Sequence, residues 1–103
     1  MEQEYRLEGK SLMFYMPKEV DHHVAQTLCT RLDAMIENYG VKELIFDFTQ
    51  TEFMDSSGIG VLLGRSKVMH FHQGRVFACG MGARVKRIFE AAGLQKVILV
   101  KED

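Results

Sequence analysis

Two short, almost wholly apolar runs limit most strongly what this chain can fold into. The first is LIFDF at residues 44–48 and the second is VFAC at residues 76–79. Between them lies a segment whose apolar residues recur at helical spacing. Strands that are apolar at nearly every position are typical of a sheet covered on both faces by helices. The pattern therefore predicts an α/β fold with right-handed crossovers and helices on both sides of the central strands.

The segments around these runs complete the predicted order of elements. Residues 4–16 form two apolar-rich stretches split by Gly9 and Lys10, which predicts a hairpin at the amino-terminal end. Helical spacing marks residues 21–40, with Asp21 as N-cap and Gly40 just past the end, and also residues 57–71 and 85–93. Residues 97–100 would be the last strand. We expect a mixed sheet of four or five strands with about three main helices packed on it.

Length and charge narrow the function classes. A chain of 103 residues suits one domain over residues 1–103. Thirteen basic and fourteen acidic residues nearly cancel, so no overall field favours nucleic acid or an anionic membrane as a partner. The first ten residues are charged, and no apolar run reaches the ~20 residues of a spanning helix. We therefore expect a cytoplasmic protein.

The stretch FMDSSGIG at residues 53–60 raises the question of catalysis. A serine on a strand-to-helix turn resembles the nucleophile elbow of hydrolases, which requires Gly-x-Ser-x-Gly. Here Met54 and Asp55 stand two positions before Ser56 and Ser57. The chain also has little material for a substrate pocket and an oxyanion hole. We therefore predict no catalytic residue and no enzymatic activity.

The same stretch allows two other interpretations. In the simpler one, Asp55 or Ser56 only caps the following helix. In the other, Gly58 and Gly60 leave the surface bare so that a partner can approach, with Met54 as a candidate interface residue. A phosphate on a serine here would meet the free amides and the positive end of the helix dipole. It would also repel a docked partner, so one covalent event could break a complex and leave the fold intact.

Metal binding is not indicated by the histidines or the cysteines. His22 and His23 are adjacent, so their side chains point in different directions on a helix, and no nearby cluster completes a site. Cys29 and Cys79 lie outside any zinc-ligand spacing. We expect neither a metal nor a cofactor.

Three segments together resemble a known family. FMDSSGIGVLLGR, VDHHVAQTL and VKRIFEAAGLQKVI are similar to segments of the anti-sigma factor antagonists, which belong to the STAS domain family (sulphate transporter and anti-sigma factor antagonist). The likeness extends from about residue 12 to the end. It implies a single STAS-type domain. One departure precedes the first helix, where relatives usually carry Gly-Glu-Leu-Asp and this chain has Lys18-Glu19-Val20-Asp21.

The resemblance also implies roles for particular residues. In the family, the first serine after the aspartate is phosphorylated by the anti-sigma factor, an ATP-dependent serine kinase, and by position this serine is Ser56. Asp21 matches an aspartate that contacts the anti-sigma factor. The implied partner-binding residues are Asp21, Asp55, Ser57, Gly58 and Ile59.

The resemblance implies a partner-switching cycle in transcription regulation, such as that of sporulation. The unphosphorylated form would bind the anti-sigma factor and release the sigma factor. Phosphate on Ser56 would inactivate the protein, and a separate serine phosphatase would reset it. The alternative is a STAS docking module in another signalling or transporter-associated complex.

Overall fold

A hairpin begins a mixed sheet in the computed structural model of this protein, which describes residues 3–102. The elements follow one another along the chain as β1 (Tyr5–Glu8), β2 (Ser11–Tyr15), β3 (Glu19–Val20), α1 (His22–Tyr39), β4 (Glu43–Asp47), β5 (Phe53–Met54), α2 (Ser56–Phe71), β6 (Arg75–Cys79), α3 (Ala83–Ala91), one 3-10 turn (Leu94–Lys96) and β7 (Leu99–Val100).

Within residues 3–102 the main sheet has five strands in the order β1-β2-β4-β6-β7. The β1 strand runs antiparallel to β2, and every other neighbouring pair is parallel. Two further strands, β3 and β5, form a separate parallel pair. The mixed sheet of four or five strands with three main helices is thus confirmed. The last strand is shorter than predicted because residues 94–96 form the 3-10 turn before it.

The core lies on one face of the main sheet. Strand register places Leu12 beside Leu44 and Leu44 beside Val76, and it places Phe14, Phe46 and Ala78 in the next row. These side chains belong to one buried cluster with residues from α1, α2 and α3. The helix residues of that cluster are Leu28, Leu32, Ile36, Val61, Leu62, Met69, Val85 and Phe89.

The other face of the sheet is covered differently from our prediction. Ile45 and Phe77 point to this side and are only 8% and 7% exposed. Arg75 and Lys101 lie over the Phe77 ring, with Cζ and Nζ 5.5 and 4.4 Å from its centroid. Long cationic side chains cover apolar surface with their stems and interact with an aromatic face. The prediction of helices on both faces is therefore wrong, since the α-helices of residues 3–102 pack on the opposite side.

The ends of α1 agree with the sequence pattern. The Asp21 carboxylate accepts a hydrogen bond from the His23 amide at 3.0 Å, as an N-cap does. Gly40 follows the last turn with φ of 59°, the left-handed conformation that glycine adopts at little cost. Asp21 therefore caps the start of α1.

Candidate functional site

The short β3–β5 pair places two helix starts side by side. In its parallel register Val20 lies opposite Met54, and each strand is followed at once by a capping aspartate, Asp21 or Asp55. The Asp55 amide donates to the Val20 carbonyl at 3.2 Å, which continues the pairing by one residue. Parallel pairing of the strands thus brings the amino-terminal ends of α1 and α2 together.

One carboxylate closes both helix starts. Asp55 Oδ1 accepts hydrogen bonds from the amides of Ser57 and Gly58 at 2.9 and 3.1 Å. Its Oδ2 accepts from the His22 amide at 3.2 Å, and the Nδ1 atom of the His22 ring lies 3.6 Å from the same oxygen. Asp55 is therefore the N-cap of α2 and also a link to the first residue of α1.

These hydrogen bonds keep Asp55 ionised. The Gly58 amide lowers the pKa of this carboxyl most, and the His22 and Ser57 amides and the His22 ring lower it further. Together they outweigh the partial burial, which raises it, so the pKa lies below its ordinary value of 3.8. A fixed negative charge thus stands directly before Ser56.

The lowered pKa of Asp55 predicts a pH-dependent effect of Asp55→Asn. Asparagine can still cap α2 with its one carbonyl oxygen, but it loses the charge and the acceptor for the His22 amide. Because the folded pKa is below the unfolded value, the charge stabilises the fold above the unfolded pKa, and this contribution is lost as the pH falls through the folded pKa. In urea unfolding, we expect the stability of Asp55→Asn to lie below that of wild type at pH 7, and the difference to shrink as the pH falls through the folded pKa of Asp55. A constant difference across that range would contradict the assigned hydrogen bonds.

The structure brings the sequence-predicted site residues together around this turn. Asp21 and Asp55 are the two caps, Ser56 is the first residue of α2, and Ser57, Gly58 and Ile59 complete the first turn. Ser56 is exposed, whereas Ser57 and Ile59 are half-buried and Gly58 is buried. Of the two serines, Ser56 is therefore the one whose side chain is open to a large partner.

Two interpretations of neighbouring residues are wrong. A Cβ atom at Gly58 would lie 2.0 Å from the Val20 carbonyl oxygen. Glycine at this position therefore allows strand β3 to pack closely against α2, and it does not leave room for a partner. Met54 is 2% exposed and belongs to the core, which excludes it as an interface residue. At Gly60 an added Cβ would meet no atom within 4 Å, so this glycine does leave bare surface one turn beyond Ser56.

Three residues near the turn were not predicted as part of the site. The sequence did not favour His22 and His23 as a metal pair, and both are exposed with ring centroids 4.0 Å apart. Arg84, in the first turn of α3, lies over the Phe53 ring with Cζ 5.3 Å from its centroid. The contacts of His22 with Asp55 and of Arg84 with Phe53 each join segments more than 30 residues apart, and no local sequence signal marks either of them.

No helix of residues 3–102 combines the length and the apolar character that crossing a bilayer requires.

The sequence matches one family over nearly its whole length. A profile of the STAS domain matches residues 3–103. The chain is similar to the anti-sigma F factor antagonist of Paenibacillus polymyxa, with 28% identity over 92 residues that cover 89% of this chain and 79% of the relative. It is also similar to the anti-sigma-B factor antagonist of Listeria monocytogenes, with 32% identity over 90 residues that cover 84% of this chain and 75% of the relative.

Solved structures agree with this match. The anti-sigma factor antagonist SpoIIAA in its unphosphorylated form has a TM-score of 0.81 at 26% identity, covering 94% of this chain and 87% of that one. The Bacillus cell fate determinant SpoIIAA in the phosphorylated form has a TM-score of 0.72 at 25% identity, covering 94% and 90%. The resemblance noted from the sequence is thereby confirmed: the chain belongs to the STAS domain family.

Proposed function

We propose that this protein is an anti-sigma factor antagonist that is switched off by phosphate on Ser56. The observation that carries the proposal is the exposed Ser56 at the first position of α2, directly after a capping aspartate and beside a second helix start. The names of the relatives from Paenibacillus and Listeria support the role, and SpoIIAA, a structural neighbour, exists in a phosphorylated form.

Exposure favours Ser56 over Ser57 as the acceptor. A kinase must bring the γ-phosphate of ATP within bonding distance of the hydroxyl, which requires an accessible side chain. Ser56 is exposed without any change in the fold, whereas Ser57 is half-buried and its amide is bonded to Asp55. Phosphorylation at Ser56 therefore needs no local unfolding.

The surroundings of Ser56 suit a phosphate. The first turns of α1 and α2 contain no acidic residue, and their positive dipole ends meet at Asp55. A dianion at a helix amino terminus is favoured by the dipole, whereas the amides of His22, Ser57 and Gly58 already donate to Asp55. The fold can thus hold the phosphate, while a partner that docks on this turn meets a new charge of about −2 beside that of Asp55.

The proposed cycle follows from this local change of charge. The unphosphorylated turn binds the anti-sigma factor, a serine kinase, and thereby releases the sigma factor. Asp21, Asp55, Ser57 and Ile59 surround Ser56 in the proposed contact area, and buried Gly58 supports it from within. Phosphate on Ser56 ends this binding, and a serine phosphatase restores it. In this role the protein is a cytoplasmic regulator and not an enzyme.

Substitutions at Ser56 test the charge mechanism. We expect Ser56→Asp to unfold in urea like wild type and to bind the anti-sigma factor about tenfold more weakly or worse, since one carboxylate carries part of the charge of a phosphate. Ser56→Ala should bind like wild type, because it removes the hydroxyl and adds no charge. Titration calorimetry with the purified kinase measures both affinities.

A substitution that adds one negative charge far from Ser56 provides the matched control. Asn38→Asp adds the same charge at an exposed position in the last turn of α1, at the far end of that helix. It should leave the affinity unchanged. Binding of Ser56→Asp at wild-type strength, or equal weakening by Asn38→Asp, would count against a local charge switch at Ser56.

A further inference from the structure

His22 occupies a position that is electrostatically unusual for its residue type. It is the first residue of α1, and His23 follows it with its ring centroid 4.0 Å away. Protonated imidazoles at a helix amino terminus face the positive end of the dipole, where acidic residues are favoured. No residue of the first turn of α1 itself is acidic, and the carboxylates next to the two imidazoles are the capping residues Asp21 and Asp55. A local preference broken in this way often marks a functional site.

The contacts of His22 place its exposed ring beside Asp55, the residue that precedes Ser56. Its backbone amide is bound to Asp55, and its ring Nδ1 lies 3.6 Å from Asp55 Oδ2, while the side chain is 68% exposed. Asp21 accepts the His23 amide, and Arg84 on α3 is held over the Phe53 ring. The anchored backbone and exposed ring of His22 thus stand next to the residue that precedes Ser56.

On the basis of the proposed phosphorylation of Ser56, we propose that the His22 side chain is the charge partner of that phosphate and sets the pH at which the phosphate becomes doubly negative. Both oxygens of Asp55 are already bonded to the amides of Ser57, Gly58 and His22, so they offer the phosphate only repulsion. A protonated imidazole attracts the dianion more strongly than the monoanion. His22 is therefore a positioning residue for the modified state.

The pairing makes the switch sensitive to pH in the physiological range. The second ionisation of phosphoserine occurs near pH ~6, and histidine changes charge between about pH 5 and 8. A cation beside the phosphate favours its dianionic form. Loss of the imidazole removes this attraction and raises the midpoint of the second ionisation of the phosphate.

The test uses the full chain with phosphoserine placed at position 56 by codon suppression, which requires no kinase. Phosphorus NMR follows the second ionisation of the phosphate from about pH 5 to 8. We expect the midpoint to rise by about 0.5 pH unit in His22→Gln relative to the parent, as for an exposed ion pair. His70→Gln, near the far end of α2, should leave it unchanged. Equal midpoints in His22→Gln and the parent would overturn the pairing.

A second variant separates charge from folding. His22→Lys keeps a cation at the same position, so the midpoint of the second phosphate ionisation should stay at or below that of the parent. A rise of this midpoint would overturn the proposal. Labelling of the unmodified protein by its kinase is measured separately. If the kinase labels Ser56 efficiently but His22→Gln leaves the midpoint of the phosphate ionisation unchanged, the His22 pairing alone is rejected. If His22→Gln shifts that midpoint but the kinase does not label Ser56, the proposed regulation alone is rejected.

Discussion

Gly58→Ala is expected to lower the free energy of unfolding by about 3 kcal/mol, whereas Gly60→Ala is expected to raise it by roughly 0.5–1 kcal/mol. Both glycines lie in the first two turns of α2, where alanine is the better helix former. Helix propensity alone would therefore make both changes stabilising.

Packing reverses the sign at Gly58. A Cβ there would lie 2.0 Å from the Val20 carbonyl oxygen and 3.0 Å from its carbonyl carbon, and backbone atoms cannot turn away as a side chain can. Strand β3 and helix α2 must move apart, which also strains the hydrogen bond of the Asp55 amide to Val20. At Gly60 an added methyl group meets open space, so the gain in helix propensity remains.

Urea unfolding of the two variants measures the difference. With an unchanged slope, the midpoint should fall for Gly58→Ala and rise for Gly60→Ala. Similar stabilities of the two variants would show that β3 does not press against α2. Since β3 also carries Asp21 to the site, Gly58→Ala should weaken binding of the anti-sigma factor as well.

Asp33→Ala is expected to lower the free energy of unfolding by about 2 kcal/mol, because it leaves the buried cation of Arg65 without its partner. Arg65, on α2, is 9% exposed, and its Nε atom lies 2.8 Å from Asp33 Oδ1 on α1. Its Nη1 atom is buried without a hydrogen-bond partner within residues 3–102. Because Asp33 itself is 48% exposed, we expect less than the 3–5 kcal/mol typical of a fully buried pair.

The double variant Asp33→Ala/Arg65→Met provides the control. Methionine fills a similar volume without a charge, so the double variant should recover most of the stability lost in Asp33→Ala. Thermal or urea unfolding of both variants measures the recovery. If the double variant is as unstable as Asp33→Ala, an unpaired charge on Arg65 does not explain the stability lost in Asp33→Ala.

The apolar runs predicted the sheet correctly but not the side on which the helices lie. Residues 44–48 and 76–79 are apolar at almost every position, which normally indicates cover on both faces. Phe77 is instead covered by the side chains of Arg75 and Lys101. The stems of long cationic side chains bury apolar surface in a way that hydropathy does not register.

Local signals predicted one half of the candidate site and missed the other. A capped strand-to-helix turn at Asp55 and Ser56 is visible in the sequence, and the choice of Ser56 as the acceptor comes from the family resemblance. The link between Asp55 and His22 depends on the pairing of β3 with β5, two strands of two residues each, which are too short to show any alternation. Gly58 is buried because of the same pairing. Since the sequence does not show that pairing, Gly58 was predicted to lie on the surface.

Phosphate mapping tests the central claim most directly. The protein is incubated with ATP and the anti-sigma kinase from the same genome, and its intact mass is measured before peptide mapping. We predict one added phosphate on Ser56, the same gain in Ser57→Ala and none in Ser56→Ala. Phosphate on Ser57, or no phosphate while the kinase modifies another substrate, would contradict a switch at Ser56 and leave the turn as a docking surface alone.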